Sequence, residues 1–226
     1  DMWVSRIQVP VQLEATAHAK DDFSQAEKLA DLTDWNLYSP LWAPVSLEGK
    51  WLKMSDRDPF DYCRIERKIP ASKELKVAFD IKADQNDKGL LQIEFLDENS
   101  IACARIDLNP DGTMLSKGGA RYGKLLNYEA GKSYHVEVIL SVSKRMSEVF
   151  IDGKKAGQRM FFAPVAAIER IAFRTGERRT FPTIDTPADW DGTLADAGEQ
   201  EPLVAYSIAN FQTSSTDVSA SAAVLN

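Results

Sequence analysis

The sequence predicts an all-β fold, a two-sheet antiparallel sandwich with one short N-terminal helix, and two observations carry that prediction. The first is alternation. Residues 76–82, 91–95, 104–108 and 134–138 each place apolar side chains at every second position, so one face of each segment is apolar and the other polar. That is the pattern of a half-buried strand. The second is turn chemistry between these runs. Asn109-Pro110-Asp111-Gly112 sets Pro and Gly where a type I turn prefers them, and Asp152-Gly153 suits the positive φ angles of a tight hairpin.

Taken in order, residues 1–12 read as an incoming strand and connector broken at Pro10. Residues 15–32 hold the helical stretch: Phe23, Ala26, Leu29 and Ala30 recur at helical spacing, and Asp21 or Asp22 is the expected cap. From Asp34 onward the pattern is β, through residues 35–38, 51–54 and 62–69, the four alternating segments, residues 149–151 and residues 168–174. Residues 175–203 break the alternation, carry Pro182, Pro187 and Pro202, and gather Asp185, Asp189, Asp191 and Asp196. A loop of that length inside a compact domain is either functional or clamped. β character returns over residues 203–211, and a Ser/Thr/Ala-rich tail follows. The domain division that results is 1–32, 33–213 for the sandwich, and 214–226. Val77, Phe79, Ile81, Ile93, Phe95, Ile106, Val136, Val138 and Ile151 are the expected core, each on the apolar side of its alternation.

Bulk properties narrow the function classes. A net charge of −7 and a pI near 5.0 argue against nucleic acid as the main partner, because phosphate backbones are held by clustered Lys and Arg. No apolar run approaches the roughly 20 residues that span a bilayer. No signal-peptide pattern opens the chain. It begins Asp1-Met2-Trp3 within what reads as a strand, so a piece of something longer is expected. Cys63 and Cys103 both fall in strand-like segments, and two buried free thiols are favoured over a disulfide.

The segment from Trp35 to Phe211 resembles the concanavalin A-like, or laminin-G-like, jelly-roll superfamily. The likeness rests on Trp35-Asn36-Leu37-Tyr38, the hairpin at residues 107–112, and Tyr128-Glu129-Ala130-Gly131-Lys132 leading into a long strand. The Phe150-Ile151-Asp152-Gly153-Lys154 hairpin and the closing run of residues 206–211 complete it. The resemblance implies that the ends of the sandwich meet, with the strand ending at Phe211 pairing near Trp35 to Tyr38. Separately, Asp1-Met2-Trp3-Val4-Ser5-Arg6-Ile7 resembles the segment that closes a sialidase-like (BNR-repeat) β-propeller in large secreted polysaccharide-processing proteins of gut bacteria, where a jelly roll follows. It implies an adjacent propeller domain, a glycan partner, and an extracellular or periplasmic place.

Several side chains are candidates for chemistry. Jelly-roll glucanases set acidic residues at alternating positions on one strand, because a retaining mechanism needs two carboxylates about 5 Å apart. The nearest candidate is Glu94, but Gln92 and Leu96 stand where its partners belong, which favours a solvated strand residue. Jelly-roll polysaccharide lyases need a cation for the uronate and a Tyr or His for protons. Tyr62, Arg64, Glu66, Arg105 and His135 are that set. Tyr62, Arg64 and Glu66 share a strand face, where an exposed Arg/Glu ion pair is the competing reading. Arg174, Arg178 and Arg179, with Arg170, form a basic cluster that would suit an acidic glycan or the acidic loop. Asp185, Asp189 and Asp191 offer hard oxygen ligands for a structural calcium ion, although the spacing is not that of an EF-hand, and Trp190 beside them could stack on a sugar or anchor the loop. The reading these residues support is a non-catalytic accessory or carbohydrate-binding module. The alternatives are a jelly-roll hydrolase or lyase acting on an acidic glycan through Tyr62, Arg64, Glu94 and His135, and a purely structural domain packed on a propeller.

Overall fold

The structure, a computed structural model, describes residues 19–58, 61–176 and 204–215. Its strands in chain order are β1 (Lys20–Asp21), β2 (Trp35–Tyr38), β3 (Val45–Glu48), β4 (Trp51–Asp56), β5 (Arg64–Ser72), β6 (Glu74–Ala83), β7 (Leu91–Leu96) and β8 (Ala102–Leu108), followed by β9 (Thr113–Gly118), β10 (Arg121–Asn127), β11 (Ser133–Ser141), β12 (Met146–Ile151), β13 (Lys154–Met160), β14 (Ile168–Thr175) and β15 (Val204–Ser215). They form two antiparallel sheets of a sandwich. The eight-stranded sheet runs β13-β12-β11-β6-β15-β4-β3 with β1 also on β15, and the seven-stranded sheet runs β10-β9-β8-β7-β14-β5-β2.

Alternation places the core as expected. Val77, Phe79, Ile81, Ile93, Phe95, Ile106, Val136, Val138 and Ile151 are all buried between the sheets. Through the middle runs a chain of edge-on aromatic contacts: Phe23 to Trp35 at 5.4 Å, Trp35 to Phe211 at 5.1 Å, Phe211 to Phe173 at 6.5 Å and Phe173 to Phe79 at 5.1 Å. Both predicted turns form. Gly112 N–H bonds the Asn109 carbonyl at 3.1 Å, and Asp152 and Gly153 take φ of 50° and 75°. Cys63 and Cys103 are buried free thiols, pushed up to about 12 chiefly by burial, and so are inert as nucleophiles.

Two expectations are corrected. The helical stretch is, in its described part, strand β1, a turn, and a single 3-10 turn at Leu29–Asp31. Asp22 accepts from the Ser24 N–H and hydroxyl in an Asx turn, Phe23 takes φ +58° to drop its ring into the core, and Asp21 is drawn away to Arg67. Tertiary burial of Phe23 overrides the local helical spacing. Nor does the strand ending past Phe211 pair with residues 35–38. β2 pairs with β5 in the other sheet, and Trp35 reaches Phe211 only as a side-chain contact across the interior. The close ends are instead β1 and β15, with Lys20 opposite Gln212.

Arg67 joins the two sheets at this edge. It points inward from β5, its Nε 2.8 Å from Asp21 and its Nη2 3.1 Å from Asp34, while the Trp35 indole N–H also donates to Asp21. A buried guanidinium with two carboxylates and an indole donor has its charge compensated in place.

Candidate functional site

Strand register assembles a polar surface on the outer face of the seven-stranded sheet. Across the strands one row reads Tyr38, Arg64, Arg174, Gln92, Asp107, Leu115, Lys124; the next reads Asn36, Glu66, Ala172, Glu94, Arg105, Lys117, Tyr122. Directly opposite residues in a sheet are neighbours at about 5 Å, so charges far apart in sequence become adjacent. Arg64 Nη2 lies 2.6 Å from Glu66 Oε2, and Arg105 Nε lies 2.9 Å from Asp107 Oδ1, although neither contact is aligned as a hydrogen bond. Arg105 Nη2 donates to Asp107 Oδ2 at 3.3 Å and to the Tyr122 hydroxyl. Arg174 donates to the Gln92 carbonyl at 2.7 Å and lies over the Tyr62 ring at 4.9 Å. Arg170 reaches the Glu98 carbonyl and Ser100, with Glu66 at 3.8 Å.

Around Arg105 the face opens into a depression of about 410 Å³ lined by Leu90, Gln92, Arg105, Asp107, Asn109, Leu115 and Tyr122. Burial pushes the Asp107 carboxyl up to about 6, against the pull of Arg105 and with a further push from Glu94. Tyr122 on one side of the sheet and Tyr38 on the other are half exposed, and Tyr38 donates to Asp61 at 2.7 Å.

The predicted site residues divide three ways. Tyr62, Arg64, Glu66, Glu94, Arg105 and Arg174 do come together on this face. Glu94 is not a solvated strand residue: every residue of β7 is buried, and Glu94 faces Arg105 across the ladder at 4 % exposure. Likewise the Arg64–Glu66 pair is not an exposed one, since the Glu66 side chain is nearly covered. His135 is the correction that matters most. It sits on the outer face of the other sheet, its Nδ1 2.7 Å from Asp80, and so cannot share a substrate with Tyr62, Arg64 and Glu94. Arg178, Arg179, Trp190, Asp185, Asp189 and Asp191 lie outside the described residues, and the calcium reading lies there with them. Among the described residues no group of three or more His, Cys, Asp or Glu is placed to hold a metal ion, and no helix is long and apolar enough to cross a membrane.

Sequence reasoning missed Asp107 and Tyr122 as site residues. Arg105 and Asp107 two apart on an alternating strand were a visible signal; their meeting with Tyr122 required the β9–β10 register.

The fold is that of a jelly-roll β-sandwich with a polar outer face on its seven-stranded sheet. The model of the family described as "Sialidase-like, CBM domain" matches residues 35–190, and the chain belongs to that family. A solved structure named sialidase is 66% identical with a TM-score of 0.84, over 94% of this chain but 20% of its own, so the chain spans about a fifth of that protein. The apo Crh5 transglycosylase (14% identity, TM-score 0.63, 90% of this chain and 86% of its own) and the alginate lyase Aly36B (10%, 0.59, 89% and 98%) share the fold. No curated protein matches the chain.

Proposed function

We propose that this chain is an accessory carbohydrate-binding module that lays a glycan across the outer face of its seven-stranded sheet, within a larger secreted polysaccharide-processing protein that carries a β-propeller beside it. The observation that carries the reading is the open depression at Arg105. It combines convergent polar groups with a half-exposed tyrosine wall, the pairing that orients a sugar by hydrogen bonds and covers its apolar face. Family membership supports it and an extracellular or periplasmic place, and the length of the sialidase relative supports further domains. Affinity electrophoresis of the chain through gels cast with neutral and acidic polysaccharides tests it. Retardation is expected with at least one glycan, and Tyr122→Ala is expected to remove most of it while leaving thermal unfolding unchanged. Retardation that survives Tyr122→Ala, or none with any glycan, would sink this surface as the site.

One observation favours a catalytic reading in second place. Glu94 and Asp107 are diagonal neighbours on adjacent strands, so two carboxyl groups stand on one face of the sheet, as a glycosidase mechanism needs. Asp107, held up at about 6, has the proton affinity of a general acid. Against it, Arg105 lies against the Asp107 carboxylate, its Nη2 donating to Oδ2 at 3.3 Å and its Nε 2.9 Å from Oδ1. No reducing-sugar release and no unsaturated product are expected from uronate-containing polysaccharides; turnover that Glu94→Gln and Asp107→Asn both abolish would make the enzyme reading primary.

A further inference from the structure

We propose that the groove between the sheet edges β10 and β13 is a second saccharide subsite, one that takes a sulfate ester; it rests on the reading above in that the chain it extends is a glycan. The groove holds about 590 Å³, and its lining includes Gly118, Arg121, Tyr122, Met146, Arg159 and Met160. Charge is the first argument. β9 to β13 form one flank of the sandwich, three strands at the end of the eight-stranded sheet and two at the end of the other. Residues 113–160, which span them, hold nine Lys and Arg against four Asp and Glu, in a chain of net charge −7. All four carboxylates are engaged: Glu129 by Lys132, Glu137 by Lys76, Glu148 by Lys155, and Asp152 by the His135 N–H. Arg121 and Arg159 thus line the groove with no carboxylate partner among the described residues. Unpaired cations gathered on one flank of an acidic protein select for an anion.

Geometry is the second. Neither Gly118 nor Gly123 takes a left-handed φ, so glycine is not needed there for the backbone. Instead the Arg159 side chain lies where their Cβ atoms would be, its stem against Gly118 and its guanidinium across Gly123. Among the described residues the one acceptor on that guanidinium is the Gln158 carbonyl, 3.0 Å from Nη1, which leaves Nε and Nη2 as donors. Arg121 belongs to the other sheet, so the two cations reach the groove from different directions. A carboxylate is planar and best met by one coplanar fork, whereas a sulfate ester splays three acceptor oxygens about its sulfur and carries no donor. Tyr122 supplies the link to a sugar. It lines both this groove and the depression at Arg105, so a saccharide lying in the first passes over it into the second. A peptide fits less well: it would add a strand to β10 or β13, and these edges carry Lys124, Lys154 and Lys155, the charges with which edge strands resist pairing.

Calorimetric titration with chondroitin sulfate and with desulfated chondroitin isolates the ester, because both polymers keep the same uronates. Dextran sulfate and dextran do so with no uronate present. Each sulfated polymer is expected to bind at least about tenfold tighter than its bare counterpart, and to weaken as salt rises from about 0.05 to 0.5 M. Arg121→Gln, at an exposed position, is expected to lose several-fold on the sulfated polymers and little on the bare ones. Gly123→Ala keeps every charge but displaces Arg159, and a loss of similar size is expected while circular dichroism shows the chain folded. Lys50→Gln, in the turn between β3 and β4 at the far edge, removes one charge and is expected to change nothing. Equal binding of sulfated and bare polymers, or equal losses in Lys50→Gln and Arg121→Gln, overturns the proposal and leaves the glycan-binding module standing. So does undiminished binding by folded Gly123→Ala. Self-association at low salt that Arg121→Gln abolishes, with no sulfated polymer bound, overturns it in favour of a second copy on this flank. Binding of none of the four polymers also overturns it, and the module reading falls with it only where every polysaccharide gel lacks retardation as well.

Discussion

Asp107 is the residue in which burial and charge meet most directly. Water is excluded around it, Arg105 compensates only part of that loss, and its carboxyl titrates near 6 in place of the ordinary 3.8. The folded chain therefore holds this proton more tightly than the unfolded chain does. The stability it contributes is present below about pH 4 and is lost as pH rises to about 6, with no further change above. The whole loss is of order 2–3 kcal/mol. Denaturant unfolding at pH 4 and pH 7 is expected to show that much more decline for the native chain than for Asp107→Asn; equal declines would show that Asp107 is not a buried acid. What sequence could reveal at this scale was which side chains share a strand face, as with Arg64 and Glu66 or Arg105 and Asp107. Their burial was not legible. Glu94 looked solvated because its flanks on β7 say nothing of Arg105 opposite, and His135 looked like a neighbour of Glu94 because alternation does not say which sheet a strand joins.

Among the elements, β15 organises the eight-stranded sheet, lying between β6 on one side and β4 and β1 on the other. A bulge interrupts its pairing with β6 after Ala209, and Asn210 takes φ +51° there, a left-handed conformation that costs most residues about 1 kcal/mol. Asparagine is tolerated because its amide finds a partner, Asp80 Oδ2 at 2.6 Å, and Asp80 in turn holds His135. Asn210→Ala is expected to lower stability by about 1–2 kcal/mol, and Asn210→Gly by about half as much, because glycine relieves the backbone and forfeits only the hydrogen bond. Thermal unfolding of the two variants checks the order; an alanine variant as stable as the glycine one would mean that the backbone there is unstrained. Bulges leave no mark in an alternating pattern, and residues 203–211 read as one uninterrupted strand.

At the scale of the whole molecule, fold class was legible because most strands set an apolar side chain toward the core at every second position, so period-two alternation survives even in β7, whose outer face is covered as well. Topology was not, because pairing partners are chosen by packing between segments far apart, as when Trp35–Tyr38 joins Arg64–Ser72 and leaves β15 to the opposite sheet. The N-terminal helix failed for the same reason: Phe23 is worth more in the core beside Trp35 than on a helix surface. The pairing of β1 with β15 has a mechanical side. Ala19 and Thr213 are joined at the backbone, the Thr213 N–H on the Ala19 carbonyl at 2.9 Å and the Ala19 N–H on the Thr213 hydroxyl at 3.2 Å. In an antiparallel pair the entering and leaving chain lie at the same end, and the bonds between them run across the strands. Tension that draws the flanking segments apart thus loads the two-residue pairing of β1 from the entering side and the Ser215 end of the β15–β6 ladder from the leaving side, and β1, with the shorter ladder, is the element expected to yield first, the one that also ties Asp21 to Arg67.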